Sequence, residues 1–190
     1  MTHADQSDRA NAGKVEWQVT MSLDGFIAGP DDDMDWVFEY IPDPGAVAGE
    51  VIKATGAMLS GRRSYDVGRR DVGKQSGAAY GGAWSGPVFV LTHNPPQDSG
   101  VTFLSGDIRE AVATALAAAD GKNVAVTGAN VARQCIEEGL IDEIVVYLVP
   151  VLLGYGVRLF GGPGTERVNL ERIGVAQSGQ TTDLRFRVLK

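Results

Sequence analysis

The segment 124–160 constrains the fold more than any other part of the chain, because it has the pattern of a strand, a small-residue turn, a helix and a second strand. The apolar strand Val124–Val126 leads into Thr127-Gly128-Ala129-Asn130, and the unit closes with the apolar strand Ile144–Val149. Such a turn presents the N–H groups of a helix N-terminus to an anion. Its small residues would let a phosphate approach the backbone. The segment therefore indicates a nucleotide-type ligand.

The rest of the chain alternates strand patterns with helix patterns and ends in two strand patterns. Helix starts are indicated by Asp43-Pro44 and by the capping-box pair Asp107 and Glu110. A turn at 177–180 is typical of an antiparallel hairpin. These patterns predict an α/β fold with a mostly parallel central sheet, helices on both faces and a C-terminal antiparallel hairpin. Strands are expected at Val15–Ser22 with a continuation over Leu23–Ala28, and at Ala57–Ser60, Val88–Leu91, Val168–Ala176 and Thr181–Leu189.

Composition and charge argue against several classes of protein. The chain has 190 residues, which fits one domain with a sizeable core, and its formal net charge of -7 opposes nonspecific binding to nucleic acid. The chain contains no run of about 18 apolar residues, which is the length needed to span a bilayer. A single cysteine and two histidines argue against an internal disulfide and a zinc site. We expect a cytoplasmic protein with no metal, nucleic-acid or membrane partner, a disordered tail at 1–13 and a single domain at 14–190.

Four other features have mainly structural interpretations. The glycine-rich segment 66–86 is expected to be a functional or mobile loop that could act as a lid. Asp31–Asp33 is expected to be a solvated acidic loop. Cys135 lies in a helical pattern and is expected to pack in the core. Arg185 and Arg187 alternate with apolar residues and are expected on an exposed strand face.

Three separated segments together resemble one family. They are Ser22–Ala28 (SLDGFIA), Leu59–Tyr65 (LSGRRSY), and the block Leu140–Phe160, which contains LIDE, PVLLGYG and LF. The order and spacing of these motifs resemble the C-terminal reductase domain of RibD, the riboflavin biosynthesis protein, within the dihydrofolate reductase-like superfamily. The resemblance covers roughly residues 15–189.

The resemblance implies both a fold and a reaction. The fold would be a dihydrofolate reductase-like mixed sheet with flanking helices and NADPH, or NADH, across the strand ends. The reaction would be hydride transfer to a small heterocyclic substrate of the pyrimidine or pterin type, as in reduction of 5-amino-6-ribosylaminouracil phosphate or of dihydrofolate. The resemblance also implies a homodimer, for which an apolar edge at 144–153 could supply the interface.

The resemblance assigns cofactor contacts to three segments. The turn at 127–131 would hold the pyrophosphate, 61–64 would give a second phosphate contact, and 92–94 would approach the adenosine end. The family often has Arg or Lys near His93, so the choice between NADPH and NADH stays open. The alternatives are a plain turn with Asn130 as N-cap, a solvated helix start and a surface histidine. The expected cofactor residues are Gly61, Arg62, Arg63, Ser64, Thr92, His93, Thr127, Gly128, Ala129, Asn130 and Val131.

The resemblance also suggests residues on the substrate side. Asp24 would bind substrate hydroxyls or donate a proton, unless it is a turn aspartate before a glycine. Asp35 would be an alternative acid and Trp36 a pocket wall, the other interpretation being a capping aspartate and a core tryptophan. Gly154 and Tyr155 would lie near the substrate or form a flexible turn.

Two further functions remain open at this level. The chain could be a non-catalytic, nucleotide-binding dimeric scaffold, because Ala129 and His93 depart from the family pattern. It could also bind a flavin or deazaflavin on the same fold. All of these functions have a small molecule as the partner.

Overall fold

The computed structural model describes residues 13–41, 43, 48–70, 78–97, 100–162 and 164–190. Within these ranges no helix is both long enough and apolar enough to cross a membrane. The predicted tail lies outside the described residues except for Gly13, where a Cβ would lie 1.6 Å from the Lys122 carbonyl oxygen. The helix start predicted at Pro44 also lies outside them.

Eight of the described strands form one sheet, and two short strands pair separately. The sheet order is β5-β4-β3-β6-β1-β7-β10-β9, parallel from β5 to β7, with β10 antiparallel to both of its neighbours. This confirms the predicted mostly parallel sheet and its C-terminal hairpin. The strands are β1 (Val15–Ser22), β2 (Phe26–Ala28), β3 (Thr55–Gly61), β4 (Val88–Leu91), β5 (Thr102–Leu104), β6 (Asn123–Thr127), β7 (Glu143–Val149), β8 (Val157–Arg158), β9 (Leu170–Ser178) and β10 (Thr181–Val188).

Helices cover both faces of the sheet, as predicted. On one face the main core joins Trp17, Leu59 and Ile144 to residues of α4 and α5, among them Cys135, whose predicted core position is confirmed. The opposite face of β7, with Val145, packs against α1 and α2. The alternation along β7 explains this division. The helices are α1 (Asp35–Tyr40), α2 (Gly49–Ala54), α3 (Arg62–Arg70), α4 (Ile108–Ala118) and α5 (Ala129–Glu137).

The predicted capping box at the start of α4 is confirmed. The Asp107 side chain accepts a hydrogen bond of 2.9 Å from the Glu110 backbone N–H. A carboxylate at this position satisfies an N–H group that has no partner within the helix, and it interacts favourably with the helix dipole. The sequence pattern therefore located this helix start correctly.

Three local predictions are wrong. The first strand does not continue to Ala28, because a turn ends β1 at Ser22 and β2 instead pairs with β8. The segment 144–153 is not a free edge, because β7 lies between β1 and β10. The segment 66–86 is not a loop throughout, because α3 extends to Arg70. The homodimer therefore stays a prediction without the interface proposed for it.

Candidate functional site

One large cavity, of about 1110 Å³, lies where the carboxyl ends of the parallel strands meet the starts of α3 and α5. Ligands in open α/β sheets bind at this edge, where the strand ends and helix N-termini come together. Each of the eleven expected cofactor residues lines this cavity. Segments that are separated by up to 70 positions in the chain are therefore brought together around one space.

The start of α5 leaves its backbone open to the cavity. Gly128 is the N-cap, with φ 84° and ψ 137°, and no side chain caps the helix. Ala129 is the first helical residue and does not have a positive φ, so its methyl group does not require the turn to shift. Asn130 lies inside the helix, which rules it out as the N-cap. N–H groups at an uncapped helix start are free to bind an anion.

The turn at 128–131 contacts the turn at 61–64 directly. A Cβ on Gly128 would lie 2.4 Å from the Ser64 hydroxyl oxygen, and one on Gly61 would lie 3.0 Å from a Val131 methyl carbon. Both glycines are therefore needed for the two helix starts to approach each other. This close contact produces a cradle of small side chains and backbone, of the kind that suits a phosphate.

The two arginines at the start of α3 have different environments. Arg62 donates from Nε to Asp66 and from Nη1 to the Asn94 carbonyl, both at 2.7 Å, and so joins α3 to the loop that follows β4. Arg63 is 71% exposed and binds Asp32, which raises the pKa of this arginine. Arg62 is thus the guanidinium held more firmly beside the cavity.

The sequence suggested a solvated acidic segment at 31–33, but the structure shows contacts between this segment and α3. Arg63 donates to the Asp32 carboxylate, and Arg70 donates to the backbone carbonyls of Asp31 and Asp32. Asp31 and Asp32 both have positive φ, which such bonds help to maintain. The segment is docked on α3, and Asp32 lines the cavity.

A second part of the cavity contains residues that sequence reasoning did not identify. Gln18 on β1, Tyr147 on β7 and Tyr80 in the 3-10 turn Ala79–Gly82 line it together with apolar side chains of α1. The Tyr80 hydroxyl donates to the side-chain oxygen of Gln18. The available sequence signal was the alternation of the polar residues Glu16, Gln18 and Thr20 with apolar residues along β1.

A buried carboxylate, that of Glu16, fixes the Gln18 side chain through a hydrogen bond. Glu16 is nearly inaccessible, and it accepts from the side-chain amides of Gln18 at 2.9 Å and Asn123 at 2.8 Å. Burial raises the pKa of Glu16, while the Gln18 amide and the Arg185 guanidinium, 3.1 Å away, act in the opposite direction. The Arg185 side chain is 40% exposed, in line with the predicted exposed strand face, but its guanidinium also forms an ion pair with the buried Glu16 carboxylate.

Asp24 does not line the cavity. Its carboxylate accepts from the Ser22 hydroxyl at 2.6 Å, from the Leu153 N–H at 3.1 Å and from the Gly154 N–H at 2.6 Å. These bonds, that of Ser22 foremost, lower the pKa of Asp24, so the group is held as an anion. The geometry is that of a turn aspartate before Gly25, which has φ 87°.

The remaining expected substrate residues also lie away from the cavity lining. Asp35 is exposed in the first turn of α1. Trp36 packs in the second core and donates from its indole nitrogen to the Asp33 carbonyl, as the core-tryptophan interpretation proposed. Tyr155 is 71% exposed, and Gly154, with φ 72°, contacts Asp24 through its N–H group.

Comparisons with known proteins agree with the fold. The family model described as the RibD C-terminal domain matches residues 13–184. The Bacillus subtilis protein YwjB, which is uncharacterized, is 28% identical over 177 residues. The match covers 91% of this chain and 97% of the length of YwjB. A crystal structure from Shewanella sp. PV-4, named provisionally for riboflavin biosynthesis, is 26% identical with a TM-score of 0.73, covering 93% of this chain and 99% of its own. The Saccharomyces riboflavin biosynthesis reductase Rib7 shares the fold, with 14% identity, a TM-score of 0.60 and coverage of 94% and 90%.

Proposed function

This chain belongs to the RibD C-terminal domain family, and we propose that it is an NADPH-dependent reductase that transfers hydride to a small heterocyclic substrate. The family supports a reductase-like function with a nicotinamide cofactor. The observation that carries the proposal is the cradle formed by Gly61, Ser64 and Gly128, where two helix starts meet beside one large cavity. A side chain at Gly128 would fill this space, so the residues present fit a phosphate group.

The cofactor would be held by its phosphates at the strand ends. The uncapped N–H groups at the start of α5 and the Ser64 hydroxyl would bind the pyrophosphate. Arg62 lies next to the loop of Thr92 and His93 through its bond to the Asn94 carbonyl, so these groups would surround a 2′-phosphate. This arrangement supports NADPH rather than NADH.

The reaction would take place between the cradle and the second part of the cavity. A reduced nicotinamide bound there would supply a hydride, which carries two electrons, to an electron-poor carbon, and the neighbouring nitrogen or oxygen of the substrate would take one proton, ultimately from solvent. Apolar side chains of α1 line this space and would exclude water from it once a substrate is bound. Asp24 would act as a positioning residue, because it holds the loop of Leu153 and Gly154 against the end of β1.

A titration tests the proposal. The protein is titrated with NADPH and separately with NADH, followed by nicotinamide fluorescence, and cofactor oxidation is then measured with a panel of pyrimidines and pterins. Saturable binding with preference for NADPH, and oxidation with at least one substrate, is the expected result. Failure to bind either nucleotide would contradict the proposal. Tight binding without oxidation across the panel would favour the scaffold function, and a coloured purified protein would favour a flavin or deazaflavin.

A further inference from the structure

Neutral polar side chains form the floor of the cavity between β1 and β7. Thr20 pairs in register with Tyr147, so their side chains lie on the same face of the sheet, and Gln18 lies two residues earlier on that face. Tyr80 reaches the same group through its hydrogen bond to Gln18. All four of these residues line the cavity. The floor therefore offers hydroxyl and amide groups without a formal charge.

Among the four floor residues, Tyr147 has a buried hydroxyl without a described hydrogen-bond partner. The residue is only 7% exposed, and its hydroxyl has no hydrogen-bond partner among the residues that the structure describes. Buried hydroxyls are almost always paired, so a polar group of a ligand in the cavity could supply the partner of Tyr147. Gln18 is fixed by its bond to Glu16, which uses one of its two amide N–H groups. The floor is thus ordered before any ligand binds.

The walls and the charges restrict what the floor can bind. Met34, Val37, Phe38 and Ile41 supply apolar surface beside it, which suits the faces of a flat ring. Among the described residues of the lining, the basic side chains are those of Arg62, Arg63 and His93. They belong to the segments proposed for the cofactor, and Arg63 is already paired with Asp32. Among the described residues, a negatively charged substituent on the substrate would therefore find no free basic partner at this floor.

We infer that Tyr147, Tyr80 and Gln18 bind the polar edge of an uncharged planar ring, and that such a ring, rather than a phosphorylated pyrimidine, is the substrate class. The inference rests on the proposed function for the reaction that follows binding. Burial raises the pKa of Tyr80 to about 12 and also raises the pKa of Tyr147, so both phenols stay protonated at neutral pH. The Tyr147 hydroxyl can donate a hydrogen bond, whereas the Tyr80 hydroxyl already donates to Gln18 and can only accept one. A ring carbonyl or ring nitrogen would accept from Tyr147, and a ring N–H or amino group would donate to the Tyr80 oxygen.

Calorimetric titration with two matched probes tests the inference. Pterin is a neutral planar ring, and pterin-6-carboxylate adds one negative charge to the same ring. We expect pterin to bind and the carboxylate to bind at least roughly tenfold more weakly. Tyr147→Phe should weaken pterin binding roughly tenfold, which corresponds to one lost hydrogen bond, and should leave NADPH binding unchanged. Tyr65→Phe is the matched control, because Tyr65 packs on Phe103 outside the cavity lining.

The thermal stability of the free protein separates a binding role from a structural one. Because the Tyr147 hydroxyl has no described partner, Tyr147→Phe should not lower Tm, whereas a structural hydroxyl would lower it. If this variant fails to fold, Tyr80→Phe must show the loss of pterin affinity instead. Equal pterin affinity in wild type and variant, tighter binding of the carboxylate, or no pterin binding would overturn the inference. Wild-type NADPH binding is measured in the same series, so failure of the proposed function is recognised separately.

Discussion

Replacing Gly128 with alanine should both destabilise the protein and weaken cofactor binding. A backbone with φ 84° and ψ 137° is rarely adopted by L side chains, and such a conformation costs about 1–3 kcal/mol. The new Cβ would also lie 2.4 Å from the Ser64 hydroxyl oxygen, so this side chain would have to move. For a protein of this size, the loss corresponds to a fall in Tm of roughly 2–12 °C.

The effect of this substitution on binding follows from the same displacement. If the turn shifts, the bound phosphate loses at least one charge-assisted hydrogen bond, which contributes about 1.5–3 kcal/mol. NADPH should therefore bind roughly ten- to hundredfold more weakly. The double variant Gly128→Ala with Ser64→Ala should recover part of the stability, because the closest contact of the new methyl group is removed.

Thermal unfolding and calorimetric titration with NADPH measure the two effects. Gly121→Ala is the matched control, since Gly121 also has positive φ, at 75°, but lies outside the cavity lining with no atom within 4 Å of an added Cβ. It should lose stability and keep its affinity for NADPH. Wild-type affinity in Gly128→Ala, or an equal loss of affinity in Gly121→Ala, would refute the reasoning.

Three further substitutions test other parts of the account. Asp24→Asn should destabilise the protein at neutral pH and leave NADPH affinity nearly unchanged. Because hydrogen bonds lower the pKa of Asp24 in the folded state, its stabilisation is present above the ordinary value of about 3.9 and is lost as the pH falls through the folded pKa. The difference in urea midpoint should therefore shrink in acid, and a constant difference would contradict this. Arg185→Leu should lower the free energy of unfolding by about 1–3 kcal/mol, because buried Glu16 loses a partner that is itself partly exposed. Urea unfolding checks this against Arg187→Leu, whose exposed ion pair should contribute less than about 1 kcal/mol, and equal losses would contradict it. Arg62→Gln should weaken NADPH roughly tenfold and NADH less, measured by titration, and equal losses would remove the 2′-phosphate contact.

The two helix starts beside the cavity could be predicted because their structure is local in sequence. Strand, small-residue turn and helix follow one another directly at Gly128 and again at Gly61, so pattern alone locates both helix starts. The parallel order of β3 and β6 then brings them together at one edge of the sheet. The close contact between Gly128 and Ser64 could not be predicted, since it depends on how the two helices pack.

The surroundings of Asp24, Tyr147 and Arg185 depend on contacts that the local pattern does not contain. The motif of Asp24 predicts a turn, but its carboxylate is directed by N–H groups about 130 positions later in the chain. Tyr147 lies within an apolar strand and has the sequence pattern of a core residue. Arg185 has the alternation of an exposed strand face, and its partner Glu16 is 169 positions away. In each case a long-range packing contact decides the role of the residue.

Hydrogen–deuterium exchange with and without NADPH tests most directly whether the two helix starts hold the cofactor. The N–H groups at the start of α5 lack a side-chain cap, so they should exchange readily in the free protein. The account predicts that NADPH slows exchange at 128–131 and 61–64, and that Gly128→Ala abolishes this protection. Saturating NADPH that protects neither segment, or protects only residues outside the cavity, would contradict the central claim.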